Sequence, residues 1–477
     1  MRSVRPAGEA HTLTRNAYLL FTATLLATGP VSCTSDSGTT SPQIPASSLA
    51  ANSSAGDGNA IVVSSSAELL AALAPENAGR RIHVRAGSYV VSQPLFVPDR
   101  VTLEGEGVML LDGSGLPTGF AAGTGTTLTM TANTPGDVLT LGNGATVRGV
   151  TIADLADRPG NVIGVLSRDV GDRLSATIAD VEIVNPNPHG VAPSGPLGCG
   201  VTVLTRNPNL GGDPPPHAGA AISATITHSL IHSLGIGIGC GVFAFNFAPE
   251  ASVGVTLASN VVGGGIIASG AVSRPDAVHD SKTTIQSMRN LYRDDSSNPC
   301  LAQHLGWNLQ GGSGTPIPLP IGATTGNALR VASLDDRLEG FAHAITAIGG
   351  RRFFGSPIAG PTTGNSVDLE LNGATISTPA CGGAPFVADF TLAGAEVANQ
   401  SLVPGDGNTL RALIRGVTAS GARSNLYANV RGPTGPVPAA MQGTGNRLEI
   451  VGSAQSFAQT NEAITPAPAA EFFTGDK

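Results

Sequence analysis

Residues 65–73 read Ser-Ser-Ala-Glu-Leu-Leu-Ala-Ala-Leu. They lead into Gly79-Arg80-Arg81-Ile82-His83-Val84-Arg85-Ala86-Gly87-Ser88-Tyr89, and then into Leu95-Phe96-Val97-Pro98-Asp99-Arg100-Val101-Thr102-Leu103-Glu104-Gly105-Glu106-Gly107. The first run is a short amphipathic helix, with Ser65-x-x-Glu68 as a capping box at its start. The other two alternate apolar and polar residues between glycines, the pattern of short strands with one buried face. One helix feeding several Gly-punctuated strands predicts the capped start of a strand solenoid, whose first coil would otherwise leave an open apolar end.

The same strand signature recurs downstream. It appears as Val147-Arg148-Gly149-Val150-Thr151-Ile152, Ile178-Ala179-Asp180-Val181-Glu182-Ile183 and Leu371-Asn372-Gly373-Ala374-Thr375-Ile376. Looser copies are Ile226-Thr227-His228-Ser229-Leu230-Ile231 and Leu257-Ala258-Ser259-Asn260-Val261-Val262. Each carries an apolar residue, a small or polar kink, and then alternation, so the chain bends from one strand into the next. A second repeat, Gly326-Asn327, Gly364-Asn365, Gly407-Asn408 and Gly445-Asn446, precedes a strand each time at steps of 38, 43 and 38 residues. Gly-Asn suits a turn needing positive φ. Repeats of this period indicate a solenoid or a propeller, and little hairpin chemistry of the kind a propeller needs is present.

These features together resemble a right-handed parallel β-helix of the pectin lyase-like superfamily. The resemblance rests on the capping helix, Ile82-x-Val84-x-x-Gly87-x-Tyr89, Val101-x-Leu103-x-Gly105-x-Gly107 and the repeated rungs. It implies an all-β fold, a right-handed parallel β-helix with a short N-terminal capping helix, over residues 61–465, with 466–477 as a tail. Composition agrees: 63 Gly, 34 Pro, 4% aromatic and 13% charged residues suit stacked strands and turns better than helices.

The N-terminus predicts export. Arg2, Arg5 and Arg15 precede the apolar run 17–27, which is too short for a comfortable membrane span. The run ends in Gly29-Pro30-Val31-Ser32-Cys33, which resembles a bacterial lipoprotein signal, with Pro30 standing where Leu is usual. That resemblance implies lipidation of Cys33, a signal peptide over 1–32, a Ser/Thr-rich tether over 33–60, and residence at the outer membrane or cell surface. Ordinary secretion is the alternative. Loss of residues 1–32 leaves 23 basic and 33 acidic side chains, a net charge of −10, with Lys282 and Lys477 as the sole lysines. Such a chain is a poor nucleic-acid binder, and contact with a membrane is expected only through the lipid.

Apart from Cys33, four cysteines remain, an even number that suggests disulfides in an exported protein. Cys199 and Cys240 share the tetrapeptide Gly-Cys-Gly-Val, 41 residues apart, as equivalent positions on neighbouring rungs would. The expected pairs are Cys199–Cys240 and Cys300–Cys381, with buried free thiols as the alternative.

The superfamily includes pectate lyases and polygalacturonases. Their signatures, Arg-x-Pro-x-x-Arg in the first and Gly-His-Gly in the second, are missing, so their catalytic roles do not carry over. The densest polar stretch is Arg274, Asp276, His279, Asp280, Lys282, Arg289, Arg293, Asp294, Asp295 and His304. It reads either as a solvated loop or as a site. In a site, Asp294 and Asp295 would be acids or cation ligands, and Lys282 or Arg293 the base or anion clamp. His228 and His232 fall at a strand and a turn, where a rung corner is a better reading than a metal site. His189 and His217 are expected to be exposed, Asp335-Asp336-Arg337 reads as a surface turn, and 207–216 as a loop inserted between rungs. The resulting expectation is a non-catalytic structural or adhesive surface protein without a cofactor, partnered by polysaccharide or another surface protein. The alternative is a divergent polysaccharide lyase, with Ca2+, or a hydrolase.

Overall fold

The computed structural model describes residues 60–155, 160–185, 198–206, 215–233, 240–273, 276–294, 305–314, 322–341, 343–351, 361–377, 379, 390–396, 406–420, 425–429, 447–455 and 458–459. The fold is a parallel β-helix. Each coil lays down one strand on each of three sheets, and every strand pairs in parallel with its counterparts one coil away. The first sheet runs from Ala60–Val63 through Arg81–Val84, Thr102–Gly105, Ala145–Arg148, Arg173–Ala179, Ala221–Thr227, Ser252–Ala258, Lys282–Met288, Ala328–Leu334 and Ser366–Asn372 to Thr409–Ser420 and Arg447–Gln455. The second sheet begins at Gly87–Val91 and Thr126–Met130 and includes Glu182–Asn185, Leu230–Ser233, Leu291–Arg293 and Arg337–Glu339. The third begins at Leu95–Val97 and includes Ile163–Leu166, Cys240–Phe245, Gly265–Ser269, Leu305–Gly314 and His343–Arg351. Among the described strands the one antiparallel pair is a hairpin, Met109–Leu111 with Pro117–Phe120. Stacked parallel pairing of this kind rules out a propeller.

The helix spans Ser66–Ala72, and Ser65 caps it by accepting the Glu68 N–H at 3.2 Å. The Glu68 carboxylate reaches back to the N–H of Ser64 (2.7 Å). Leu69 and Ala72 join the solenoid core beside Val63 and Ile82. Strand Ala60–Val63 precedes the helix and is the first rung of the first sheet, so the solenoid begins before its capping helix.

Inward side chains stack by type. Val147, Ile178, Ile226 and Leu257 occupy one column in successive coils, all fully buried. At about 25 cal/mol per Å2 of apolar surface removed from water, such columns supply the main driving force. The corner between the first and second sheets is a two-residue turn. Its first residue has positive φ in coil after coil: Gly149 (65°), Asp180 (51°), His228 (45°), Ser259 (56°), Arg289 (52°), Asp335 (53°), Gly373 (68°) and Gly416 (59°). The second residue points inward. The kink in the recurring strand signature is this left-handed residue. The first three Gly-Asn repeats occupy the corner that opens the first sheet, with φ of 67° at Gly326, 64° at Gly364 and 63° at Gly407; Gly445-Asn446 lies outside the described residues.

Candidate functional site

The charged stretch considered as a site is divided between two corners of one coil. Lys282 opens a first-sheet strand and faces outward, with exposed His279 and Asp280 just before it (Nδ1 to Oδ2, 3.2 Å). Arg293 closes the following second-sheet strand, and the Asp294 N–H donates to the Glu339 carbonyl at 3.0 Å. The seven-residue strand Lys282–Met288 lies between them; at about 3.3 Å per residue this is over 20 Å of chain running in one direction. Lys282 and Asp294 therefore do not meet within the hydrogen-bond reach that acid–base catalysis requires. Arg274, Asp295, Cys300, His304 and Cys381 lie outside the described residues, as do Cys33, His189 and most of 207–216.

Two other expectations change. His217 is buried, not exposed, and its Nδ1 lies 2.6 Å from the Oγ of buried Ser167. Asp336 is fully buried, so Asp335-Asp336-Arg337 is a surface turn at its two ends only. The two histidines of the His-x3-His pair separate: His228 sits at the left-handed corner, while His232 approaches Glu182 on the second sheet (Nε2 to Oε1, 3.5 Å). That contact, with a 3.0 Å bond from the Thr151 hydroxyl, holds the Glu182 carboxyl below its usual range.

Buried polar side chains form three vertical ladders at the corners, because every buried donor there needs an acceptor. In the first, the backbone N–H and Nδ2 of Asn327 both donate to Asn365 Oδ1 (3.2 and 2.9 Å), and those of Asn365 to Asn408 Oδ1 (2.9 and 3.1 Å). The second ladder runs Ser229, Asn260, Asn290, Asp336. Its last member accepts from the N–H (2.8 Å) and Nδ2 (3.0 Å) of Asn290 and from the Ser333 hydroxyl (2.6 Å). Burial raises the Asp336 pKa despite these donors. Burial also lifts the Tyr292 phenol well above its usual range, with the Asp336 charge adding to it; Tyr292 Oη lies 2.7 Å from Ser287 Oγ. The third ladder links Asp137 to Asn161 and then to the Cys199 N–H (3.1 Å). One coil further along the same column stands Cys240, joined to Cys199 by a disulfide with Cα atoms 4.8 Å apart. A covalent rung thus continues a hydrogen-bonded one.

The three sheets differ on their outer faces. On the third sheet, outward Leu166, Leu204, Phe243 and Ile267 are buried in a second apolar cluster. Its Phe243-Ala-Phe245-Asn-Phe247 run, three of 14 phenylalanines at period two, is the sequence signal of this outer apolar face and continues just past the strand Cys240–Phe245. On the second sheet, Leu116 of the hairpin covers Leu230 and Val261, with Leu291 packed alongside. Outward side chains of the first sheet remain half-exposed or exposed across successive coils. Its middle rungs present hydroxyls: Thr102, Thr146, Thr177, Thr225 and Thr256 stand in one column. In later coils an outward column alternates in charge, Arg330, Asp368, Arg411, Glu449, and a shallow depression forms there beside Glu370 and Leu413. Arg411 and Glu449 approach to 3.7 Å, as do Arg415 and Glu370. Among the described residues the outer face of the first sheet is the open one.

Comparison with protein-family models and with curated proteins finds no match to the chain.

Proposed function

We propose that this chain is a non-catalytic, exported parallel β-helix protein that binds a partner surface through the open face of its first sheet. The observation that carries the reading is that face. It is broad, lies in regular register over many coils, and is lined by short hydroxyl side chains and then by alternating charges. Ladders and a disulfide fix the spacing between coils behind it, so it meets a partner already ordered, with little entropy left to lose on binding. The likeness to the pectin lyase-like superfamily extends to the scaffold; function lives in sites, and the resemblance alone supplies none. Cys33, as a lipidated first residue followed by a Ser/Thr-rich tether, would hold the β-helix at the outer membrane or cell surface. A polysaccharide or another surface protein is the class of partner such a face suits.

The test is adsorption of the mature chain to insoluble polysaccharides and to whole cells, compared with a variant carrying Thr225→Arg and Asp368→Lys. Binding that falls at least tenfold in the variant, with an unchanged circular dichroism spectrum, supports the reading. Calcium-dependent release of unsaturated product from an acidic polysaccharide, abolished by Asp294→Ala and Lys282→Ala, would overturn it in favour of a lyase. Radiolabelled palmitate incorporation, lost in Cys33→Ala, tests the anchor.

A further inference from the structure

The middle of the open face has a geometry that narrows the partner. Four consecutive strands, Arg173–Ala179, Ala221–Thr227, Ser252–Ala258 and Lys282–Met288, pair residue for residue over their full seven-residue lengths without a bulge. Outward Thr177, Thr225 and Thr256 align in one column, which Thr146 and Thr102 extend over two earlier coils and which Gln286 ends on the fourth strand. Two residues toward the N-terminus, Ser175, Ser223, Gly254 and Thr284 form a second column. Neighbouring parallel strands lie about 4.8 Å apart and same-face side chains about 6.7 Å apart along a strand. The columns therefore form a rectangular net that bears hydroxyls except at Gly254 and Gln286, with a methyl group beside each Thr hydroxyl.

Charge is confined to the margins of this net. Among the outward positions of these four strands, Arg173 and Lys282 are the charged residues, and both sit in the first position of a strand. Ionic side chains flank the four-strand net: Glu104 lies between Arg81 and Arg148 beside the outlying Thr102 and Thr146, and the alternating column from Arg330 follows on the other side. Soluble polymers carrying charge would find little to pair with in the middle. A neutral, flat, periodic solid would find a surface of matching repeat. Backbone pairing fixes each Thr at Cα and β-branching restricts its χ1, so little side-chain entropy is lost on contact.

From this net we infer that the face binds ice, because its two repeats lie near the spacings of water oxygens along the principal axes of hexagonal ice. Methyl groups would sit in the lattice hollows while hydroxyls take the place of surface waters. The inference rests on the proposed use of the open face and adds the class of ligand.

Thermal hysteresis and crystal shaping are to be measured on the mature chain, together with its partition into a slowly growing ice hemisphere. Adsorption to crystalline cellulose and chitin is followed in parallel. Thr225→Tyr, at the centre of the net, places a ring above its plane; Val170→Tyr, at a turn residue 72% exposed, is the control. Wild type and Val170→Tyr are expected to shape crystals and enter ice, and Thr225→Tyr to lose at least tenfold in both with an unchanged circular dichroism spectrum. Thr225→Val, which keeps the shape and loses one hydroxyl, should retain most activity. A wild-type chain that neither shapes crystals nor enters ice, or a Thr225→Tyr variant that does both as well as wild type, overturns the inference. If ice activity is missing but cellulose or chitin adsorption depends on Thr225, the ice assignment fails and the face-binding reading stands. If neither solid adsorbs the chain and its cell binding ignores Thr225, both fail.

Discussion

Replacing Asp336 by Asn should stabilise the protein at neutral pH and have no such effect in acid. In the wild type, Asp336 Oδ1 accepts two bonds from Asn290 and Oδ2 accepts one from Ser333. Bonds to a charged acceptor are worth about 1.5–3 kcal/mol each against 0.5–1.5 for neutral ones. Burial nevertheless raises the pKa, so desolvation of the charge outweighs the extra strength of three bonds. The variant would reproduce an arrangement found one coil earlier. There Asn290 Nδ2 donates to Ser287 Oγ (2.9 Å) and to the Leu257 carbonyl (3.2 Å), and Ser333 and the Ser287 carbonyl are the equivalent groups for residue 336. Asn keeps the Asn290 contacts as neutral bonds, each worth about 0.5–1.5 kcal/mol, and removes the desolvated charge, so a gain on the order of 1 kcal/mol is expected. The sign follows from linkage. With the folded pKa above the unfolded value, the folded state holds its proton longer, and stability is lost as pH rises between the two values. The gain from Asn should therefore be near zero below the ordinary aspartate range and reach its plateau above the raised pKa. Thermal melting by circular dichroism at acid and neutral pH reads the difference as a shift of roughly 2 °C. A lower Tm for the variant at neutral pH, or a shift of equal size at both, would refute the reasoning.

Three further outcomes follow from the corners. Reduction of Cys199–Cys240, or the double Ser variant, should cost up to about 4 kcal/mol on a loop-closure model for a separation of 41 residues; melting with and without reductant measures it, and an unchanged Tm would discount the bridge. Asn365→Ala should cost about 3 kcal/mol, because it strands the buried Asn327 donors and removes the bond to the Thr324 carbonyl; urea titration and proteolysis near 327 and 408 report it, and a loss below about 1 kcal/mol would argue against the ladder. Gly149→Ala should be worse than Gly407→Ala, since both carry the left-handed penalty of about 1–2 kcal/mol, but the new Cβ at 149 falls 2.7 Å from the Gly105 carbonyl whereas that at 407 finds nothing nearer than 3.9 Å. Equal Tm values for the two would remove the close-approach argument.

The coil was legible because its rules are local. Alternation at Ile178, Ile226 and Leu257 declares a buried face, and Gly149, Gly373 or Gly326 declares a left-handed turn, each within a few residues. The shared Gly-Cys-Gly-Val context placed two cysteines on adjacent coils, since equivalent positions tend to carry equivalent neighbours. Asp336 and His217 misled because burial at a corner depends on the coils above and below, dozens of residues away in sequence. The open face was missed for the same reason. Thr102, Thr146, Thr177, Thr225 and Thr256 are separated by irregular intervals, since loops of different length intervene, and only the parallel register aligns them. The run from Asp276 to Asp294 shows the converse: closeness in sequence offers a cluster, while the strand Lys282–Met288 separates Lys282 from Asp294 along the chain.

The ladders also explain the places of two buried aspartates, Asp137 and Asp336. A corner Asn accepts at Oδ1 from one neighbouring coil and donates its N–H and Nδ2 to the other, so the ladder has a direction. In the second ladder donors point toward the C-terminus, from Ser229 to Asn260, Asn290 and Asp336. In the third they point the other way, from Cys199 to Asn161 and then to Asp137. The downstream end of each ladder needs a residue that accepts and passes nothing on, which is the chemistry of a carboxylate. Both described ladders that terminate in view do so at a fully buried Asp. Beyond Asp336 the column continues with Ala374 and Val417, which offer no side-chain acceptor, so the chain returns to apolar packing once the ladder is closed. The polar spine and the apolar core are thus alternatives for one column, and an aspartate marks where the column changes from one to the other.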